Sequence, residues 1–248
     1  MFRRALRHDP RSTTLRAAAP LAIAALTLAL VGSGCTGQKD EKGISEDKSP
    51  DEVMALAKKT LDDTSGVKID LDTTDLPDGI QGISHAEGTG IHPPAFEGQL
   101  TAEVSGLSVD VDVIATDGKV WIKYLTPTFT EADPADYGAP DPAELMSTDG
   151  GLSDLLVNTD NLEAGDTVRG GENNEEVLTE YTGTVPATFV ETVIPSASGD
   201  DFDATYTITA DGELREAKLT GEFYPDGGPN TYTIKFSDYG TEKDISAP

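Results

Sequence analysis

The side chains that could do chemistry here are three histidines, one cysteine and an excess of carboxylates. His85 and His92 stand seven residues apart among glycines and prolines, a spacing that suits neither a helical nor a Cys-rich metal site, so both are expected in surface loops. No Gly-x-Ser-x-Gly elbow occurs, and Ser65-Gly66 and Ser105-Gly106 have no histidine positioned as a base. Asp110 and Asp112 alternate with valines, which points both carboxylates to solvent rather than across a sugar ring. Asn158–Asp166 is oxygen-rich and is the segment most open to a calcium reading. It lacks the glycine at its sixth position and the terminal glutamate of an EF-hand loop. No glycine loop fits phosphate. The pattern predicts a protein that is not an enzyme, with no catalytic residues, resident metal or cofactor.

Cys35 is different. It is the only cysteine, so the chain has no intrachain disulfide framework, and it follows Val31-Gly-Ser-Gly. Before it lie five arginines and then fifteen uncharged residues, Ala17–Val31. That run is short against the ~20 apolar residues a spanning helix needs. Basic, apolar and then small residues make the layout of a secretory signal. Ser33-Gly34-Cys35 resembles the end of a bacterial lipobox, in which the cysteine receives a diacylglycerol thioether and becomes the new N-terminus. Residues 1–34 are therefore expected as a lipoprotein signal peptide, with Cys35 as the acylated (palmitate-type) anchor. Two or more acyl chains at ~0.8 kcal/mol per methylene would hold the protein on the extracytoplasmic face of the cell membrane. Residues 35–48 are the anchor and a polar, flexible tether reaching roughly 20 Å.

The whole chain carries a net charge of −27, although residues 1–34 are basic. Such acidity argues against nucleic acid as a partner. With 248 residues there is enough chain for one domain with a sizeable core. Residues 49–248 read as that domain. Ser49-Pro-Asp-Glu52 opens an amphipathic helix carrying Val53, Leu56, Ala57 and Leu61. The period then switches to two. Leu107, Val109, Val111 and Val113 alternate with polar residues, Asp117-Gly118 predicts a tight hairpin, and Lys119–Leu125 follows. A second meander runs from Phe202 to Phe236 through Asp211-Gly212. Short helices are predicted near Asp141–Met146, Gly151–Val157 and Pro186–Ile194. The sum is an α+β fold, a mostly antiparallel sheet with one polar face and a few helices on the other.

The lipobox cysteine, the Ser49–Leu61 helix, Gly98–Val104, Val109–Val113 before Asp117-Gly118, Tyr137…Asp141-Pro142…Gly150-Gly-Leu152 and Tyr232…Tyr239-Gly240 together resemble the LppX/LprAFG envelope lipoproteins of actinobacteria, nearest the LprG branch. The resemblance implies a curved half-barrel sheet with helices on its concave face enclosing an apolar cavity for acyl chains. It also implies cargo such as triacylglycerol or phosphatidylinositol mannoside, and work beside a major-facilitator efflux transporter. On this reading Leu100, Ala102, Val104, Val109, Val111, Val113 and Ile122 line the cavity. Phe189 lines it too, and Leu145, Leu152, Leu155 and Leu156 are expected to form a mobile wall. The expected function is carriage of acylated lipids or glycolipids between membrane and outer envelope by a monomer. Two other readings stay open: a tethered interaction protein or transporter accessory with a filled core, and an envelope hydrolase.

Overall fold

The computed structural model describes residues 48–248 except 74, 75, 78 and 226. The chain enters through α1 (Pro50–Asp63), whose start is fixed by a reciprocal cap. The Ser49 N–H donates to Glu52 Oε2 at 2.8 Å, and the Glu52 N–H donates to Ser49 Oγ at 3.3 Å. One face of this helix, Val53, Met54, Ala57 and Leu61, is at most 3 % exposed.

Next come β1 (Gly66–Asp72), β2 (Gly82–Ile91), β3 (Ala95–Val104), β4 (Leu107–Thr116), β5 (Lys119–Lys123) and β6 (Thr130–Ala132). They pair in sequence order and make one wing of a sheet. Two 3-10 turns, Pro134–Tyr137 and Glu144–Met146, lead to α2 (Leu152–Val157). The second wing is β7 (Asp160–Gly170), β8 (Glu176–Pro186), β9 (Asp201–Thr209), β10 (Leu214–Gly221) and β11 (Asn230–Ser237), with α3 (Ala187–Val193) after β8. Antiparallel pairing of β1 with β11, Ile69 opposite Phe236 and Leu71 opposite Ile234, joins the wings into one sheet of eleven described strands. The Asp117-Gly118 hairpin forms as the dipeptide predicts. Both residues have positive φ, 54° and 68°, the backbone of a turn that matches strand twist.

The three helices cover only part of the inner face. They pack on β1 and β8–β11 around Phe202, Phe223 and Tyr232, whose rings meet edge to face with centroids 4.9 Å apart. A polar clamp ties α1 to α2. Lys58 Nζ lies 3.0 Å from Asp62 and 2.8 Å from Asp154, and Ser153 Oγ donates to Asp62 at 2.6 Å. The other wing has a smaller core of Phe96, Val113, Ala115, Val120 and Ala143. The helices are 14, 6 and 7 residues long, too short to roof both wings. Ala143 packs over the Phe96, Ala115 and Val120 end of β3–β5, and the rest of that inner face grades from half-buried to exposed.

Most of Asn158–Asp166 is strand, because β7 begins at Asp160, and the Asn158 amide donates to the Asp154 carbonyl at 2.8 Å. One expectation changes: His85 is not in a loop. It lies within β2 opposite Asp72, whereas His92 does sit in the β2–β3 turn, its Nε2 3.2 Å from the Leu61 carbonyl oxygen. The Cys35 anchor and the tether up to residue 47 fall outside the described residues.

Candidate functional site

Strand register builds the site. In β3, β4 and β5 every second residue faces the inner side, and the ladder aligns them in rows. The first row is Phe96, Ala115 and Val120, which are 8, 0 and 5 % exposed. Gly98, Val113 and Ile122 come next, then Leu100 with Val111, then Ala102 with Val109, the last two rows being half-buried. Beyond them stand Val104, 43 % exposed, and Leu107, 68 % exposed, with Tyr124 at 43 % following Ile122 on β5. One apolar stripe on three adjacent strands thus passes from closed to open along its length. Ala115 lies eight residue steps from Leu107, so at about 3.3 Å per residue the stripe is about 26 Å long. That exceeds the ~15 Å hydrocarbon depth of a single leaflet, half of a ~30 Å core.

The floor of this trough is shaped by missing side chains. Gly88 and Gly98 are partners across β2 and β3, and the Phe96 ring lies against both. A Cβ at Gly88 would come within 2.4 Å of that ring. Ala86 and Gly90 continue the bare strip, Gly90 being covered by Met146. No side chain of the trough named so far is ionisable apart from the Tyr124 phenol, so the surface can shed water without stranding a charge.

The opposite face of the sheet is polar. Asp112 accepts from Gln99 at 3.0 Å and pairs with Lys123 at 2.7 Å, and these contacts hold its carboxyl below the usual range. An open cleft of about 790 Å³ on this side is lined by Lys68, Asp70, Glu87, Glu97 and Lys123 among others. A second open cleft, of about 670 Å³, lies between Gly118–Val120, residues 131–141 and Pro195.

On the polar face His85 Nδ1 is 2.8 Å from Asp72 Oδ1, and that bond raises the imidazole pKa while lowering that of Asp72. Burial and the neighbouring Asp72 push Asp70 upward. Asp70, Asp72 and His85 offer ligand atoms within 4.8 Å of one another, the group among the described residues with metal-ligating chemistry. All three are partly exposed, and the His85–Asp72 hydrogen bond already occupies the facing atoms.

The residues expected to line a cavity separate into distinct surroundings. Leu100, Ala102, Val104, Val109, Val111, Val113 and Ile122 share the trough. Leu155 and Leu156 lie deep in the main core beside α1, and Leu145 and Leu152 pack half-buried against it. Phe189 on α3 is 38 % exposed. Phe96 and the Gly88/Gly98 pair were not singled out from sequence. The alternation Ala86-x-Gly88-x-Gly90 opposite Phe96-x-Gly98-x-Leu100 carries them, as small residues facing one large ring.

A family model, that of the LppX_LprAFG lipoproteins, matches residues 49–245, nearly all of this domain. The chain belongs to the LppX_LprAFG lipoprotein family. The crystal structure of LprF from Mycobacterium bovis resembles this fold with a TM-score of 0.61 at 15 % identity, covering 80 % of this chain and 96 % of that one. Mycobacterium tuberculosis lipoprotein LppX gives 0.58 at 19 % identity, covering 81 % and 100 %. At such identities the likeness establishes the shared curved-sheet fold alone. No curated protein sequence matches. Among the described residues of this family member, no helix is long and apolar enough to cross a membrane.

Proposed function

We propose that the protein is a membrane-anchored lipid carrier, tethered through acylated Cys35 on the extracytoplasmic face. In this reading it takes up acyl chains of lipids or glycolipids and moves them between membrane and outer envelope. The observation that carries this reading is the graded trough on β3–β5. Its buried end is formed by Phe96, Ala115 and Val120, and its open end by Val104 and Leu107. An acyl tail laid along it replaces water over half-buried Leu100, Val111 and Ile122. Each methylene withdrawn from water contributes ~0.8 kcal/mol. The polar headgroup stays at the open end, where exposed backbone and water satisfy it. Membership of a lipoprotein family supports the anchor.

Triacylglycerol or phosphatidylinositol mannoside types are the cargo this family reading favours, delivered by a monomer beside a major-facilitator transporter. A tethered partner protein without cargo is the competing reading, favoured by the filling of the main core by α1–α3. Mass spectrometry of organic extracts from the protein purified from its own host decides between them. A carrier yields an acyl lipid in near-equimolar amount, whereas lipid-free protein removes the carrier reading.

A further inference from the structure

Of the eight exposed large apolar side chains among the described residues, four stand together at one end of the β3–β5 ladder: Val104, Leu107, Tyr124 and Leu125. Val157 and Phe189 adjoin the corresponding end of β7 and β8, with five strands between β3 and β8 in the sheet order. Register places them there. Val104 and Leu107 close the β3–β4 hairpin, and β5 runs back to that end before Tyr124 and Leu125. The start of β7, just after Val157, pairs with the end of β8, just before Phe189. One in four residues of the chain is charged, yet the two loops nearest the trough, 104–109 and 124–130, contain no charge at all.

Backbone geometry singles out one of these side chains. Leu125 has a φ of +56° and is 94 % exposed. The N–H of Thr126 donates to the Tyr124 carbonyl at 2.6 Å across it, which makes Leu125 the apex of a γ-turn. A bulky residue in the left-handed region costs energy, and nothing in the local packing holds this one there, because its side chain meets solvent. The turn leaves a leucine projecting from the rim.

We propose that this end of the sheet is a membrane-docking rim, whose occupant is the outer leaflet of the bilayer that carries the anchor. Leu107 and Leu125 enter the interfacial layer, and Tyr124 sits at headgroup level, where an aromatic ring with one polar tip is favoured. The inference rests on the trough reading, because the rim is the trough's open end and docking brings that mouth to the lipid. Residues 36–47 separate the anchor cysteine from the described domain. At about 3.5 Å per residue their contour length is on the order of 40 Å, which exceeds the roughly 36 Å of the eleven-residue β7 and β8, the longest strands of the sheet. The two loops that would enter the leaflet carry no charge, so inserting them strands no ion away from water, while the acidic flanks of the domain stay solvated.

The test uses the single tryptophan. In a Trp121→Phe background, Leu107→Trp, Leu125→Trp and, at the opposite end in the β9–β10 turn, Asp211→Trp each give a one-tryptophan full chain. Each is purified with its natural N-terminal processing and reconstituted with phosphatidylcholine vesicles containing brominated acyl chains. Docking predicts blue-shifted emission and quenching several-fold stronger at positions 107 and 125 than at 211. Equal quenching at all three positions overturns the rim. Binding of a fluorescent fatty acid is measured on the same samples. If it persists when the rim quenching is absent, docking alone is lost. If rim quenching is present without fatty-acid binding, docking stands and the trough reading fails.

Discussion

Leu100→Trp addresses the trough directly. The Cα partners of Leu100 are Ala86 in β2 and Val111 in β4, so position 100 stands mid-trough beside one of its smallest neighbours. Leu100 is half-buried, and an indole there can extend over the open strip without displacing the Phe96 cluster below it. Such a ring excludes about four methylenes of a bound tail at ~0.8 kcal/mol each, so affinity should weaken by about 3 kcal/mol, roughly 200-fold in Kd. Titration of the full chain with a fluorescent fatty acid gives the Kd, and thermal unfolding checks that the fold survives. Gln99→Trp serves as the control. Its side chain lies on the polar face, against Asp112, and it should bind like the parent. If Leu100→Trp binds within roughly threefold of the parent while folding normally, acyl chains do not lie along this stripe.

Other outcomes follow from particular contacts. Leu156, 1 % exposed in the main core, should cost about 2–5 kcal/mol on change to Ala in urea unfolding, and a loss under about 1 kcal/mol would mean that core is loosely packed. Ser49→Ala removes the reciprocal cap of α1 and should lower stability by about 1 kcal/mol in the same assay, with no change in fatty-acid binding. The His85–Asp72 pair predicts a pH window. The raised imidazole pKa makes its contribution full below the unfolded value of about 6.5 and lost as pH rises through the folded value; the lowered Asp72 makes its share present above about 3.9 and lost as pH falls. Asp72→Asn should bring the His85 titration, followed by NMR, back toward the unperturbed value, and an unmoved midpoint would refute the pairing.

Legibility from sequence followed how local the cause was. The α1 cap, the Asp117-Gly118 hairpin and the alternating valines of β4 are written in a few adjacent residues each, and all three form as expected. β7 and β8 were not foreseen, because Asp160–Gly170 is polar and largely exposed, an edge strand whose partner supplies the order. Bulges between Asp160 and Glu163 and between Ala164 and Thr167 further break its alternation. In the site, inward-facing residues of β3–β5 were readable from period two. Whether helices would roof them was not, since that depends on where α1–α3 dock, and Leu155 and Leu156 went to the main core instead. The apolar end of the sheet was hidden for a related reason. Val104, Leu107 and Leu125 meet only because the register of β3, β4 and β5 brings their ends together.

The β1–β11 seam has a consequence for how the molecule comes into being. Its two strands are the first and the last of the described strands, and they lie side by side in the middle of the sheet rather than at a margin. A ribosome or export channel that emits the chain from its N-terminus delivers β11 after every other described strand. Until then β1 presents an unpaired edge, and the aromatic surface of Tyr232 and Phe236 has yet to emerge. Hairpins β2–β5 can assemble early, being local, but closure waits for a contact spanning most of the polypeptide, the slow kind of step in folding. Loss of a few residues from the final strand would accordingly unzip the centre of the structure, not fray its border.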